Sequence, residues 1–184
     1  MARACVFIDG SNFYHACREN LGGRTDIGFG AFAAFLVGPS RDLVRSYYYT
    51  CPLPADHDPV ERASQQKFLS ALQRVPYLEL RFGKLVRRDV TCGACGDHKV
   101  KYQEKGVDMR IGVDMVAGAS KGLYDIAILV SGDGDLKEAV QAVKDLGKHV
   151  ELATFRRGRS DELAAAADVN VELTTAEMTS LLLH

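Results

Sequence analysis

The stretch Asp125–Asp135, DIAILVSGDGD, decides the fold class. Its first half is a continuous apolar run, the mark of a strand buried on both faces, and such strands belong to parallel sheets covered by helices on either side. The run ends abruptly at Ser131-Gly132-Asp133-Gly134-Asp135, and a helical pattern follows to about Leu146, with Gly147 closing it. The start of the chain repeats this pattern. Cys5–Ile8 is a short apolar run ending in Asp9-Gly10-Ser11-Asn12, with a helical pattern from near Phe13.

Strands and helices alternate in between. A helix is predicted from about Gly28 to Val37, with Asp26 as its cap and Gly38-Pro39 as its stop, followed by a strand over Val44 to Thr50. Phe68, Leu69 and Leu72 mark a helix over about Val60 to Arg74, which Pro76 ends. Tyr77 to Val86 reads as a third strand near a sheet edge, and residues 88–101 as a polar insert holding the only CxxC. A helical pattern runs from Glu104 to Ala119 through Val107, Ile111, Met115 and Val116. After the decisive stretch come a strand over Val150 to Phe155, a short helix near Leu163, a strand over Val169 to Leu173 and a terminal helix. This order predicts an α/β fold with a mainly parallel central sheet. No repeat or linker divides the chain, so residues 1–184 read as one domain.

Lysine and arginine total 23 against 24 aspartates and glutamates, so the net charge of −1 lacks the footprint of a strong duplex-DNA binder. Local basic patches at Arg81, Lys84, Arg87 and Arg88, and at Arg156, Arg157 and Arg159, read as solvated surface or as nucleic-acid contacts. No apolar stretch approaches the roughly 20 residues that span a bilayer, and no signal peptide is recognisable. The five cysteines are an odd number, and Cys5, Cys17 and Cys51 stand among apolar or aromatic neighbours. They read as reduced core residues of a cytoplasmic protein without membrane contact.

The chemistry concentrates in the two acid-bearing turns. In a parallel sheet both lie at the same edge, where ligands of open α/β sheets bind. If their strands are neighbours, Asp9 and Asp133 converge, an arrangement that is costly without a cation between them. Hard oxygen ligands favour Mg2+ or Mn2+ over zinc. The glycines allow sharp turns and close approach of a phosphate to main-chain donors, and Asn12 can orient a water or a phosphate oxygen. Against this stands the commonness of aspartate as a helix cap after a strand. Asp108 follows Gly106 near the start of the next helix, where the macrodipole stabilises a carboxylate. Asp114, about 240° further round that helix, points elsewhere.

The segments FIDGSNFYHA (residues 7–16), EKGVDMRIGVDM (104–115) and LVSGDGDL (129–136), in this order, resemble the NYN domain family, and in particular its LabA-like branch within the PIN-like nuclease superfamily. The resemblance covers about residues 3 to 155. It implies a PIN-like three-layer sandwich and hydrolysis of RNA, expected to be single-stranded, with divalent metal. It also implies metal-binding or catalytic roles for Asp9, Asn12, Asp108, Asp133 and Asp135. Leu136 departs from the aromatic residue often found there and leaves the acids untouched. On this basis Asp9, Asp108 and Asp133 hold Mg2+ or Mn2+, Ser131 and Asn12 support them, and Lys137 meets a substrate phosphate. A binding module that keeps the acids but turns over little is the rival expectation. A haloacid-dehalogenase-like phosphatase needs a second aspartate two residues after the first, where Ser11 stands.

Cys92 and Cys95, with His98 nearby, suggest half of a structural zinc site that Cys51, His57 or a second subunit would complete; a reduced turn is the alternative. A homodimer through the insert or the terminal helix is compatible with this. Tyr47-Tyr48-Tyr49 reads either as a stacking surface for bases or as a strand with rings in the core. His15 and His149 show no partner pattern and read as structural.

Overall fold

The apolar runs at the chain start and at Asp125–Asp135 lie side by side. In a computed structural model, which describes residues 1–91 and 98–183, β1 (Ala2–Asp9) pairs in parallel with β6 (Ile126–Val130), Ile8 opposite Val130. Around them β2 (Arg41–Thr50), β3 (Leu78–Phe82), β7 (His149–Thr154) and β8 (Val169–Glu172) complete a six-stranded sheet of order β3-β2-β1-β6-β7-β8, with every pairing parallel. This is the α/β sandwich the alternation predicts.

Strand geometry sends successive side chains to opposite faces, so the unbroken apolar runs feed two cores at once. Val6, Ile8, Ile128 and Val130 meet Phe13 of α1 (Gly10–Asn20), Phe32 of α2 (Phe29–Val37), Leu72 of α3 (Pro59–Leu72) and Met178 of α7 (Thr175–Ser180). On the other face Cys5, Phe7, Ala127 and Leu129 meet Ile111 and Met115 of α4 (Val107–Ser120), Val140 of α5 (Lys137–Asp145) and Leu163 of α6 (Asp161–Ala166). Cys5, Cys17 and Cys51 are free thiols buried in these layers. Tyr48 and Tyr49 are core residues as well, so only Tyr47 of the tyrosine run is partly open, beneath the Arg81 guanidinium.

Two expectations change. The third strand does not run on to Val86; it breaks at Gly83, and the chain leaves the sheet. Residues 88–101, read as a polar insert, are described in part. Their described parts belong to β4 (Lys84–Thr91) and β5 (His98–Lys105), an antiparallel ribbon apart from the main sheet. The zinc reading of Cys92 and Cys95 falls outside the described residues. Finally, Asp26 does not cap α2. Gly28 holds the cap position without a side-chain bond, because Asp26 is engaged by the Arg24 guanidinium and Ile27 bridges to Leu182. Among the described residues, no helix is long and apolar enough to cross a membrane.

Candidate active site

β1 is the strand at which the order reverses. The chain leaves its carboxyl end toward β2 and α1 on one face, and leaves β6 on its other side toward α5 on the opposite face. The diverging connections open a crevice at the shared edge, the position where open α/β sheets bind ligands. A cavity of about 390 Å³ occupies it. Its walls carry carboxylates from separate parts of the chain: Asp9 at the end of β1, Glu19 on α1, Glu104 on β5, Asp108 in the first turn of α4 and Asp133 beyond β6. Asn12, His15 and Arg157 also face it.

Hydrogen bonds bind the two turns into one unit. Asp9 caps α1, accepting the Asn12 N–H at 3.1 Å on one oxygen and the Ser131 hydroxyl at 3.0 Å on the other. The Ser131 hydroxyl oxygen accepts the Asp133 N–H at 3.1 Å, and Asp133 accepts the Asp135 N–H at 3.0 Å. The Gly132 N–H donates to the Asn12 side chain at 2.8 Å. Ser131 thus links Asp9 to the Asp133 backbone, and the Asn12 side chain holds the Gly132 backbone. The helix-cap reading of Asp9 holds, and capping engages one carboxylate oxygen while Ser131 engages the other.

Burial sets the electrostatics. Asp9 is 4% exposed, and loss of water pushes its carboxyl up to about 6; the Asn12 and Ser131 donors oppose the rise, and the Asp108 and Glu104 charges add to it. Asp108 is raised by partial burial first and then by Asp133, Asp135 and Glu104. Both shifts disfavour the charged form. The folded state therefore keeps the Asp9 proton to higher pH than the unfolded chain, whose aspartates titrate near ~4. Stability of the metal-free protein should consequently fall as pH rises from about 4 to about 6, by roughly 3 kcal/mol from Asp9 alone. Urea melts at pH 4.5 and 7 in chelator would show this, and a midpoint that climbs with pH across that interval would contradict it.

Of the residues singled out in sequence, Asp9, Asn12, Asp108 and Asp133 line the cavity and Ser131 lies buried behind it. Asp135 is exposed and outside the lining, and Lys137 sits 3.5 Å from Glu162 in an exposed ion pair. Asp114 points away as expected, accepting the Tyr49 hydroxyl at 3.0 Å. His15, read as structural, faces the cavity. Glu104, read as the start of a helix, ends a strand; Gly106, at φ 80°, turns the chain so that α4 begins at Val107. Arg157 comes from the loop after β7, whose Ser160 N–H donates to the Gly132 carbonyl at 3.1 Å. The arginine triplet of residues 156–159 was the only sign of it in the sequence.

A model of the NYN domain family matches residues 3–174, a span that includes every residue of the cavity wall. The chain belongs to the NYN domain family. NYN domains form a PIN-like nuclease family, and the six-stranded parallel sheet with helices on both faces agrees with that fold. This NYN domain is 26% identical over 175 residues to the "Low amplitude and bright protein LabA" of Synechococcus elongatus, covering 94% of this chain and 84% of LabA. It also resembles the crystal structure of a protein of unknown function from Vibrio parahaemolyticus, with a TM-score of 0.69, 25% identity, and coverage of 99% of this chain and 96% of the other.

Proposed function

We propose that this NYN domain is a divalent-metal-dependent ribonuclease acting on single-stranded RNA. The observation that carries the reading is the convergence of Asp9, Asp108 and Asp133 on one cavity from three distant segments, with Arg157 also in its wall beside Glu19. Two of these acids, Asp9 and Asp108, hold their protons beyond the ordinary range, by burial first and then by neighbouring carboxylates, a condition that a cation relieves. Among the described residues no three Asp, Glu, His or Cys side chains are close enough to enclose a metal by themselves. As hard oxygen donors, Asp9, Asp108 and Asp133 suit Mg2+ or Mn2+ that keeps part of its water shell and is completed by substrate phosphate.

When bound, such an ion supplies a water of lowered pKa and neutralises charge on the phosphate. The chain's own contribution is placement. Asp9, Asp108 and Asp133 are the proposed ligands, Ser131 and Asn12 fix Asp9 and the Gly132 backbone, and Asp135 acts on Asp108 through its charge. Arg157, a cation on an otherwise acidic wall, faces a position suited to the RNA phosphate, and Lys137 lies further out. The expected result is cleavage of a labelled single-stranded RNA with Mn2+, none with chelator, and a melting midpoint raised by the metal. A metal-induced rise without cleavage would favour the rival binding module, and neither effect would overturn both.

A further inference from the structure

The β4–β5 ribbon has two unlike faces. Residues directly opposite in an antiparallel pair share a face. One face carries Leu85 opposite Glu104, Arg87 opposite Tyr102 and Thr91 opposite His98. It is turned to the body of the domain: Leu85 packs on the core, Tyr102 lies 5.0 Å from the His57 ring, and Arg87 pairs with Asp56 at 3.4 Å. The other face sets Lys84 opposite Lys105 and Arg88 opposite Lys101, with Val86 opposite Gln103 between them. All four cations are exposed, and among the described residues none is paired with a carboxylate, whereas Arg81 is tied to Glu79 and Asp114, and Arg87 to Asp56 and Asp89.

Like charges placed directly opposite destabilise a ribbon. Two such pairs, separated by Val86 and Gln103, with no acid among the described residues of that face, call for an anionic partner. The position of the face indicates which. Lys105 lies between Glu104 and Gly106, both in the cavity wall, and the Arg88–Lys101 pair stands about 14 Å further out, four residues at ~3.4 Å each. A chain of phosphates leaving the cavity would meet the first pair and then the second.

We infer that this face is an arm that grips the sugar-phosphate backbone of RNA flanking the cavity. The inference rests on the ribonuclease reading for the identity of the polyanion. Binding of labelled oligouridylate, followed by fluorescence anisotropy in chelator, tests it without any cleavage. The R88Q/K101Q protein should bind about tenfold more weakly at low salt, and its plot of log affinity against log salt should be shallower by about 1.4, two contacts at ~0.7 each. Its melting midpoint should hold or rise, since a repulsive pair is gone, and R88K/K101R should bind like wild type. Unchanged affinity and slope in R88Q/K101Q would overturn the arm, as would loss of binding in both variants with a lowered midpoint. Wild type that cleaves RNA while R88Q/K101Q binds normally removes the arm alone. Arm-dependent binding by a wild type that cleaves nothing with Mn2+ removes the hydrolytic reading alone.

Discussion

Asp9→Asn should make the metal-free protein more stable at pH 7 while lowering RNA cleavage at least about a hundredfold. At neutral pH the buried carboxylate is charged against an unfavourable burial term, since its proton leaves only at about 6. An uncharged amide of the same shape removes that term, worth about 3 kcal/mol. One bond is lost in exchange. The Ser131 hydroxyl now donates to Asp9, whereas facing an amide nitrogen it would accept that donor and the Asp133 N–H together, leaving its own proton without a partner, at a cost of about 1 kcal/mol. The net gain of about 1–2 kcal/mol corresponds to roughly 2–8 °C in the melting midpoint of a domain this size. Losing a supporting residue around a metal typically costs 10–100-fold, so losing a proposed ligand sets at least the upper end for cleavage. Calorimetry in chelator and a single-turnover assay would check the two halves separately. A destabilised Asp9→Asn protein contradicts the electrostatic half, and full cleavage contradicts the metal-ligand half.

Gly132→Ala should be, with Gly10→Ala, among the most damaging single methyl additions at the glycines of this chain. Its Cβ would run into the Gly158 backbone carbonyl and approach the Asn12 side-chain oxygen to 3.5 Å. A carbonyl cannot rotate away as a side chain can, so the turn after β6 and the loop carrying Arg157 must separate, disturbing the Ser160–Gly132 hydrogen bond of 3.1 Å. Overpacking of this kind costs about 1–3 kcal/mol or more, and cleavage should fall with it because Arg157 and Asn12 shift together. Gly30→Ala is the contrasting control. At the exposed position 30 of α2 its methyl meets only Val75 at 3.6 Å, and replacing helical glycine should gain up to about 1 kcal/mol. Equal melting midpoints for the two variants would show that the seam between the loops yields.

These two glycine-bearing turns also show how far the sequence could be read. Continuous apolar runs on β1 and β6 announced strands buried on both faces, and acids at their ends announced the edge where Asp9 and Asp133 line one cavity. The reading faltered where local pattern is ambiguous. Val100 to Val107 carries apolar residues compatible with a helix beginning at Glu104, and only the left-handed turn at Gly106 separates strand from helix. The ribbon escaped notice because one of its faces is cationic and open, so it lacks the apolar alternation that betrays a half-buried strand. Arg157 reaches the cavity through a contact between its loop and Gly132, a long-range event without a local signature. The glycines of the turns proved necessary for another reason than expected: Gly10 abuts the Tyr49 carbonyl and Gly132 that of Gly158, so close packing rather than a left-handed backbone demands them.

The register of β1 against β6 carries a consequence for how this fold can vary. Sliding one strand by a single residue would exchange the side chains sent to the two cores, bringing Phe7 where Val6 or Ile8 belongs. The same slip would carry Asp9 about 3.3 Å away from Ser131. The depth at which the acid sits is thus dictated by the fit of hydrocarbon on either side of the sheet. Peripheral pieces such as the ribbon can lengthen, shrink or change charge without altering it, whereas a core repacked in a shifted alignment would lose the carboxylate's seat even with every polar residue retained.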